Sequence, residues 1–161
     1  METVSSLTTK NVVEALSSFH AALGDHKESI NRLNVYPVPD GDTGTNMFLT
    51  VASVLEELNG VDPNDRTAVC GAISHGSLMG ARGNSGVILS QVLRGMSNRF
   101  AQANEIDAEV LAVALSEASV AADGSVMKPV EGTILTVVRE VAKAARDAAS
   151  SESILRTVEL A

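Results

Sequence analysis

The 161-residue chain is 45% apolar and 20% charged, a composition that excludes disordered and collagen-like proteins and predicts one globular domain. Its formal net charge is −8 and no two Lys or Arg residues are adjacent. This excludes a basic nucleic-acid-binding surface and leaves metal ions or backbone dipoles to hold an anionic ligand. Cys70, the single cysteine, rules out an internal disulfide, and the longest strictly apolar run (110–115) is too short to span a bilayer. We therefore expect a cytoplasmic protein without stable membrane insertion.

Helix start and stop signals recur along the chain and predict about eight helical segments without a sheet, because no stretch alternates apolar and polar residues for long enough. The first is expected to start at Thr8 or Thr9 and to end at Gly24. The others are expected at 28–33, at 45–58, from Asp65, at 85–100, from Asp107, at 133–149, and from Ser150 or Ser151 onward. Such a series predicts an antiparallel helical bundle. No closing signal follows the last apolar residues, so we expect a piece of a longer protein.

The most unusual segment is the loop 34–47, with the sequence NVYPVPDGDTGTNM. Two prolines stiffen the backbone before Asp40 and Asp42, and the glycine between these carboxylates lets both face one point. Paired carboxylates on a stiff loop are ligands that Mg²⁺ prefers, together with water and phosphate oxygens. The next residues open a helix whose free amides and dipole favour a phosphate: Gly44, Thr45 and Asn46. The sequence therefore predicts that metal and phosphate meet at this helix start.

Two other interpretations compete with a magnesium site in this loop. A calcium EF-hand starting at Asp40 requires Gly at its sixth position and Glu at its twelfth, which are here Thr45 and Val51, so that interpretation fails. An Asx turn, in which Asp42 or Thr43 caps the helix by bonding backbone amides, needs no ligand and stays open. The two prolines and a second glycine-rich loop favour the metal site.

That second loop, 80–86 (GARGNSG), also leads into an apolar helix. Its glycines let backbone amides approach a phosphate, and Arg82 is suited to neutralise charge on a transferred phosphoryl group. It is not a Walker A loop, because the chain contains no G-x-x-x-x-G-K-[ST] motif, and a plain helix connection is the competing interpretation. The candidate phosphate-binding residues of this loop are Gly83, Asn84, Ser85 and Gly86.

A third loop, 123–133, ends at another predicted helix start. Lys128 is placed to face a phosphate, and Met127 and Thr133 are placed to border a base or a ribose. An exposed turn with Thr133 as the helix cap is the alternative. The three histidines are too scattered for a ligand set, so they and Cys70 are expected only to pack at the surface, the core edge or in the core.

These motifs closely resemble those of one family. Loop 34–47 and the stretches 80–91 and 127–136 are similar to the N-terminal domain of bacterial fatty acid kinase, a DhaL-like (DAK2) domain related to the nucleotide-binding L subunit of dihydroxyacetone kinase. The resemblance extends over about residues 8–161. It implies an all-α, eight-helix, antiparallel, barrel-like bundle that binds ATP or ADP at one end through two Mg²⁺ ions.

Position by position, the resemblance assigns the metal carboxylates to Asp40 and Asp42. Dihydroxyacetone kinases use a third aspartate a few residues upstream, where the nearest candidate here is the neutral Asn34. The phosphate-side and nucleotide-lining positions fall on Thr45, Asn46, Ser85, Gly86 and Thr133. A catalytic role for Arg82 comes from its chemistry more than from the motif.

The resemblance further implies that the complete protein is a kinase that transfers the γ-phosphoryl group of ATP to a fatty acid carboxylate presented by a separate fatty-acid-binding protein. Family nucleotide domains continue beyond this length, so the 161-residue piece is expected to be inactive alone. Two alternatives stay open, a dihydroxyacetone (glycerone) kinase L-type subunit and a nucleotide-binding module without turnover. A homodimer is also left open.

Overall fold

The computed structural model describes residues 5–149 and 154–160, and within them the chain forms seven α-helices and one pair of two-residue strands. The strands are β1 (Ser6–Leu7) and β2 (Ile106–Asp107). The helices are α1 (Thr9–Leu33), α2 (Thr43–Leu58), α3 (Arg66–Gly80), α4 (Gly83–Gln102), α5 (Ala108–Gly124), α6 (Ile134–Ala148) and α7 (Ile154–Leu160). The prediction of an all-α bundle is confirmed.

Each helix packs against the next one along the chain, and α2 also packs against α4. The loops that join consecutive helices from α1 to α6 are short, so neighbouring helices run antiparallel. As a result, α1, α3 and α5 end at the same end of the bundle at which α2, α4 and α6 begin. At the opposite end β1 pairs antiparallel with β2, with Leu7 opposite Ile106, which ties the segment before α1 to the start of α5. None of the helices in the described residues is both long and apolar enough to cross a membrane.

The predicted end of the first helix is wrong. The sequence predicts a stop at Gly24 and a separate turn at 28–33, but α1 continues through both to Leu33. Gly24 costs about 1 kcal/mol of helix propensity relative to alanine, and it makes room for α2, because a Cβ there would lie 3.2 Å from the Cε2 of Phe48. The glycine serves the packing of α1 on α2, so tertiary contact overrides the local stop signal.

The helix count also differs from the expected eight-helix barrel. Because the first two predicted segments form one helix, residues 5–149 and 154–160 contain seven helices, and a barrel is not confirmed. Ser150 and Ser151, the predicted caps of the last helix, lie outside the described residues, and α7 begins at Ile154. The other five predicted helices are confirmed, with bounds that differ by at most two residues where both ends were predicted.

Three aliphatic clusters hold the helices together. The largest joins α1, α2, α3 and α4 through Leu16, Leu23, Val51, Val54, Val69, Ile73, Leu89 and Leu93. The second lies where α4 ends and α5 begins, around Phe100, Ile106 and Leu111. The third joins α4, α5 and α6 at the other end through Ile88, Ala122 and Leu135. Full burial of each Leu or Ile stabilises the fold by about 1.5–3 kcal/mol, so these clusters set the helix positions on which the loops depend.

Candidate functional site

The helices α2, α4 and α6 all begin at one end of the bundle, which we call the open end. Asn46 in the first turns of α2 lies against Gly83, the first residue of α4, where a Cβ would overlap the Asn46 Nδ2. Ile88 in the second turn of α4 packs with Leu135 at the start of α6. The three loops singled out in the sequence, 34–47, 80–86 and 123–133, therefore lie at the same end of the bundle.

Helix starts are capped differently at the two ends. At the far end, which we call the capped end, the N-cap side chain of each of α1, α3 and α5 accepts a first-turn backbone N–H; these residues are Thr8, Asp65 and Asp107. At the open end, no N-cap side chain of α2, α4 or α6 makes such a bond; these residues are Asp42, Arg82 and Thr133. A helix start carries the positive end of the helix dipole, so three helix starts at one end, none of them closed by its own N-cap side chain, favour an anion there.

The carboxylate of Asp42 is not used to cap α2, and both carboxylates of loop 34–47 are accessible to a ligand. Asp42 occupies the N-cap position of α2, but its side chain accepts no cap hydrogen bond, so the Asx-turn interpretation does not hold for it. Asn34 braces the loop: its Oδ1 accepts the N–H of Asp42 at 3.3 Å, and its Nδ2 donates to the carbonyl of Val38 at 2.9 Å. Asp40 is exposed and Asp42 is half-buried, so solvent reaches both.

This donor set resembles a magnesium site more than a site closed by protein ligands. Within residues 5–149 and 154–160, no three Asp, Glu, His or Cys side chains group into a metal site. Asp40 and Asp42 thus supply two carboxylates at most. Mg²⁺ fits such a site, because it keeps several waters and takes phosphate oxygens as ligands.

The start of α2 is held by α1 through a residue that carried no signal in the sequence. The Oδ1 of Asn31 accepts the backbone N–H of Thr45 at 3.1 Å, and its Nδ2 donates to the Thr45 hydroxyl at 2.9 Å. Gly44 is buried against α1, and a Cβ there would overlap the carbonyl oxygen of Lys27. Asn31 is missed because 28–33 is predicted as a separate turn; on a continuous α1, Asn31 and Asn34 share one helix face.

Thr50 joins the first two loops. Its hydroxyl lies in a completely buried side chain, donates to the carbonyl of Asn46 at 2.7 Å and accepts the backbone N–H of Arg82 at 3.2 Å. A Cβ at Gly86 would lie 2.5 Å from the Thr50 Oγ1, so α2 and α4 meet here without room for a larger residue. Gly83 has a φ of +57°, a conformation that glycine adopts without strain. Thr50 lies outside every motif, so only the contact reveals it.

Arg82 has no carboxylate partner among the residues that the structure describes. Its guanidinium donates within its own loop, to the carbonyl of Ala81 at 3.3 Å. Among the described residues it forms no ion pair. Asn84 beside it is exposed and Ser85 is half-buried. An unpaired cation next to two uncapped helix starts adds to the preference for an anion at the open end.

The third loop is held by its own polar contacts. The Thr133 hydroxyl donates to the carbonyl of Val130 at 2.7 Å and does not cap α6, which excludes the alternative that assigned it a capping role. Arg139 on α6 donates to Glu131 at 2.6 Å, and this hydrogen bond holds the pKa of the Glu131 carboxyl below its usual value. Met127 in the same loop is fully exposed. The loop is thus fastened to α6 while its thioether side chain stays accessible.

The histidine and cysteine side chains lie at the surface, at the core edge or in the core, as predicted. His20 stacks on Phe48 with ring centroids 4.3 Å apart. His75 lies 3.3 Å from a Glu57 carboxylate oxygen on the surface. Cys70 is buried, and this burial raises the pKa of its thiol although the nearby Arg66 lowers it. The third histidine, His26, is exposed.

Two surface depressions lie away from the loops that carry the carboxylates. Two surface depressions of about 330 and 540 Å³ lie at the capped end, next to Arg66 and Arg99. The loops with carboxylates and uncapped helix starts lie at the other end. The amides and charges of the open end favour an anion without a contribution from these two depressions.

An all-α bundle that presents uncapped helix starts beside two carboxylates has the character of a phosphate-binding helical domain. Comparison with known families matches residues 37–161 to the DAK2 domain, and the chain belongs to this family. DAK2 domains are nucleotide-binding domains of the DhaL type, which bind ADP or ATP with Mg²⁺ and serve kinases as ATP-binding modules.

Bacterial relatives are about 50% identical to this chain over the residues that align with it. Protein YloV from Bacillus subtilis (strain 168) is 50% identical over 131 residues, which is 81% of this chain and 24% of YloV. An uncharacterized protein from Staphylococcus haemolyticus (strain JCSC1435) is 50% identical over 123 residues, 76% of this chain and 22% of that protein. Another from Staphylococcus epidermidis (strain ATCC 12228 / FDA PCI 1200) is 48% identical over 125 residues, with shares of 78% and 23%. The chain spans about a quarter of the length of these relatives.

Proposed function

We propose that this chain is the Mg-ATP-binding domain of a kinase that transfers the γ-phosphoryl group of ATP to a fatty acid carboxylate presented by a fatty-acid-binding protein. The observation that carries the nucleotide part is the meeting, at the open end, of Asp40 and Asp42 with three helix starts whose N-cap side chains make no cap hydrogen bond. Membership of the DAK2 family supports it. The fatty acid part rests on the likeness of loops 34–47 and 80–86 to fatty acid kinase.

Asp40 and Asp42 would hold two Mg²⁺ ions, and Asn34 would be a neutral third ligand. A bound Mg²⁺ ion would neutralise negative charge on the phosphates. The Oδ1 of Asn34 accepts one hydrogen bond, from the N–H of Asp42, and a carbonyl oxygen has two lone pairs. Bracing the loop and ligating a cation are therefore compatible for this side chain.

Backbone and side-chain donors at the starts of α2 and α4 would bind the phosphates. Buried Gly44 keeps α2 close to α1, and Gly83 keeps the start of α4 close to Asn46. The proposed phosphate contacts from these two helix starts are Gly44, Thr45, Asn46, Gly83, Asn84, Ser85 and Gly86. Arg82, which has no ion pair among the described residues, would stabilise charge on the transferred group in a loose transition state.

The loop before α6 would border the nucleoside. Met127 is fully exposed there, and a polarizable thioether packs well on an aromatic base. Thr133 is half-buried and lies at the start of α6, at the open end of the bundle. Lys128 is exposed in this loop and would add a positive charge near the phosphates.

The acceptor separates this proposal from its alternatives. The test uses the full-length protein with Mg-ATP and offers two acceptors separately, a fatty acid loaded on its binding protein and dihydroxyacetone. We expect an acyl phosphate only from the fatty acid. Phosphorylation of dihydroxyacetone instead would identify an L-type subunit, and Mg-ATP binding without product from either acceptor would identify a module without turnover.

The metal assignment is tested by Asp40→Asn in the full-length protein, with Asp62→Asn as its matched control. Asp62 is an exposed loop aspartate at the capped end, where it accepts a hydrogen bond from Asn64. We expect Asp40→Asn to abolish product formation and Asp62→Asn to leave it unchanged. Full activity of Asp40→Asn would reject the assignment.

A further inference from the structure

The carboxamide of Asn31 is matched to both polar groups of Thr45. Asn31 lies two residues before the end of α1 and is half-buried. It accepts the Thr45 N–H at 3.1 Å and donates to the Thr45 hydroxyl at 2.9 Å. Thr45 is the third residue of α2, so its amide is one of those that a helix cannot pair internally. Asn31 therefore caps α2 from a neighbouring helix, in place of the Asp42 side chain.

This pairing dictates which way the Thr45 hydroxyl points. A backbone N–H can only donate, so it selects the oxygen of the Asn31 carboxamide and leaves the NH₂ group facing the hydroxyl. The NH₂ group can only donate, so the Thr45 hydroxyl accepts from Asn31. Its own proton is then free for a second partner, which is what a phosphate oxygen requires.

The position of this pair is rigid. Gly44, next to Thr45, is buried so tightly against α1 that a Cβ would lie 3.1 Å from both the Asn31 Oδ1 and the Ile30 Cβ. Such contact leaves no space for α2 to slide along α1. The distance between Asn31 and Thr45 is thus set by backbone packing and not by the two side chains alone.

We propose that Asn31 is a positioning residue for phosphate binding, which orients the Thr45 hydroxyl as a donor to the ATP phosphates. This inference rests on the proposed Mg-ATP site. Asn31 itself touches no ligand, and its effect passes through one hydroxyl. A hydrogen bond to a charged phosphate contributes more than a neutral one, so losing its alignment is expected to weaken Mg-ATP binding by about tenfold.

The chain supplies a close chemical control at its capped end. Asn11 accepts the backbone N–H of Thr8 at 2.9 Å and the Thr8 hydroxyl at 2.7 Å, which makes another Asn–Thr pair at a helix start. In this pair the Thr8 hydroxyl donates to Asn11, and no phosphate is proposed there. Asn11→Ala therefore removes a comparable structural contact without touching the proposed site.

The experiment is a double-mutant cycle in the full-length protein, with Mg-ATP affinity measured by calorimetry and stability by urea unfolding. Asn31→Ala and Thr45→Val are expected to weaken Mg-ATP binding about tenfold each, and the double variant no more than either single variant. In the Thr45→Ser background, which keeps the hydroxyl, Asn31→Ala is expected to retain its full effect. Asn11→Ala is expected to lower stability and leave Mg-ATP affinity unchanged.

Each remaining outcome counts against a stated idea. If the unmodified protein does not bind Mg-ATP, the proposed function fails. If it binds Mg-ATP and Asn31→Ala leaves the affinity unchanged, the positioning role of Asn31 is rejected while the Mg-ATP site stands. The same conclusion follows if the loss of affinity in the double variant equals the product of the losses in Asn31→Ala and Thr45→Val. A loss of affinity in Asn11→Ala as large as that in Asn31→Ala would also reject it, because the effect would then follow stability alone.

Discussion

Asp42 and Asp65 are both aspartates at the N-cap of a helix, yet only one of them caps. The Asp65 carboxylate accepts the N–H of Ala68 at 2.9 Å, whereas the Asp42 carboxylate accepts no cap bond because Asn31 supplies the acceptor for α2. An aspartate released from capping keeps both oxygens for a cation. The same residue type thus has a structural task at one end of the bundle and a proposed ligand task at the other.

Replacing these two aspartates by alanine is expected to separate stability from binding. Asp65→Ala removes a helix cap and is expected to lower the free energy of unfolding by about 1 kcal/mol. Asp42→Ala is expected to cost less than about 0.5 kcal/mol, through the helix dipole only, but to remove Mg-dependent ATP binding. Urea unfolding and calorimetry of the full-length protein measure the two quantities. Equal loss of stability in both variants would contradict the assignment of Asp42 as a free carboxylate.

The helices approach one another closely wherever a small residue lies at the contact. Gly95 on α4 faces Ala118 on α5, and a Cβ at Gly95 would lie 2.8 Å from the Ala118 Cα. Gly71 on α3 is exposed, and a Cβ there would meet nothing within 4 Å. A helical glycine therefore permits close packing in α4 but makes no packing contact in α3, although the local sequence signal is the same.

Two glycine-to-alanine substitutions are expected to change stability in opposite directions. Gly95→Ala forces α4 and α5 apart and is expected to lower the free energy of unfolding by about 1–3 kcal/mol. Gly71→Ala improves helix propensity without a clash and is expected to raise it by about 0.5–1 kcal/mol. Thermal or urea unfolding of the two variants decides the signs. A stabilised Gly95→Ala protein would show that α4 and α5 do not pack as closely as the structure has them.

Alternating helix direction gives the molecule two chemically different ends. The capped end has β1 paired with β2 and a side-chain cap on each of α1, α3 and α5. The open end has three helix starts without such caps, the loop of Asp40 and Asp42, and Arg82, which forms no ion pair within residues 5–149 and 154–160. Only a bundle in which successive helices run antiparallel can sort these features in this way.

Amide hydrogen exchange is expected to distinguish the two ends of the bundle. Mg-ATP bound to the full-length protein is expected to slow exchange of the first-turn amides of α2, α4 and α6, because a ligand on the folded state protects the amides it covers. The first turns of α1, α3 and α5 are expected to be unaffected. Chelation of Mg²⁺ with EDTA is expected to reverse the protection at the open end. Equal protection at both ends would place the nucleotide elsewhere or indicate global stabilisation alone.

Local sequence was sufficient for most of the helices and for their caps at one end. Thr8, Asp65 and Asp107 lie where the predicted helices start, and each caps its helix, because capping depends on residues within one turn. Loops 34–47, 80–86 and 123–133 stood out for the same reason, since their glycines, prolines and charges are neighbours in the chain.

The contacts between helices lie beyond that local information. The sequence ends a helix at Gly24, and the packing of Phe48 against it lets α1 continue; the contact joins residues far apart in the chain. Asn31 and Thr50 act across α1, α2 and α4 through hydrogen bonds to residues 14 and 32 positions away. Backbone propensity is a property of a few adjacent residues, whereas the pairing of amides with distant side chains depends on how whole helices pack. The residue types therefore revealed which loops carry chemistry, and the assembly of the helices revealed which neighbours hold those loops in place.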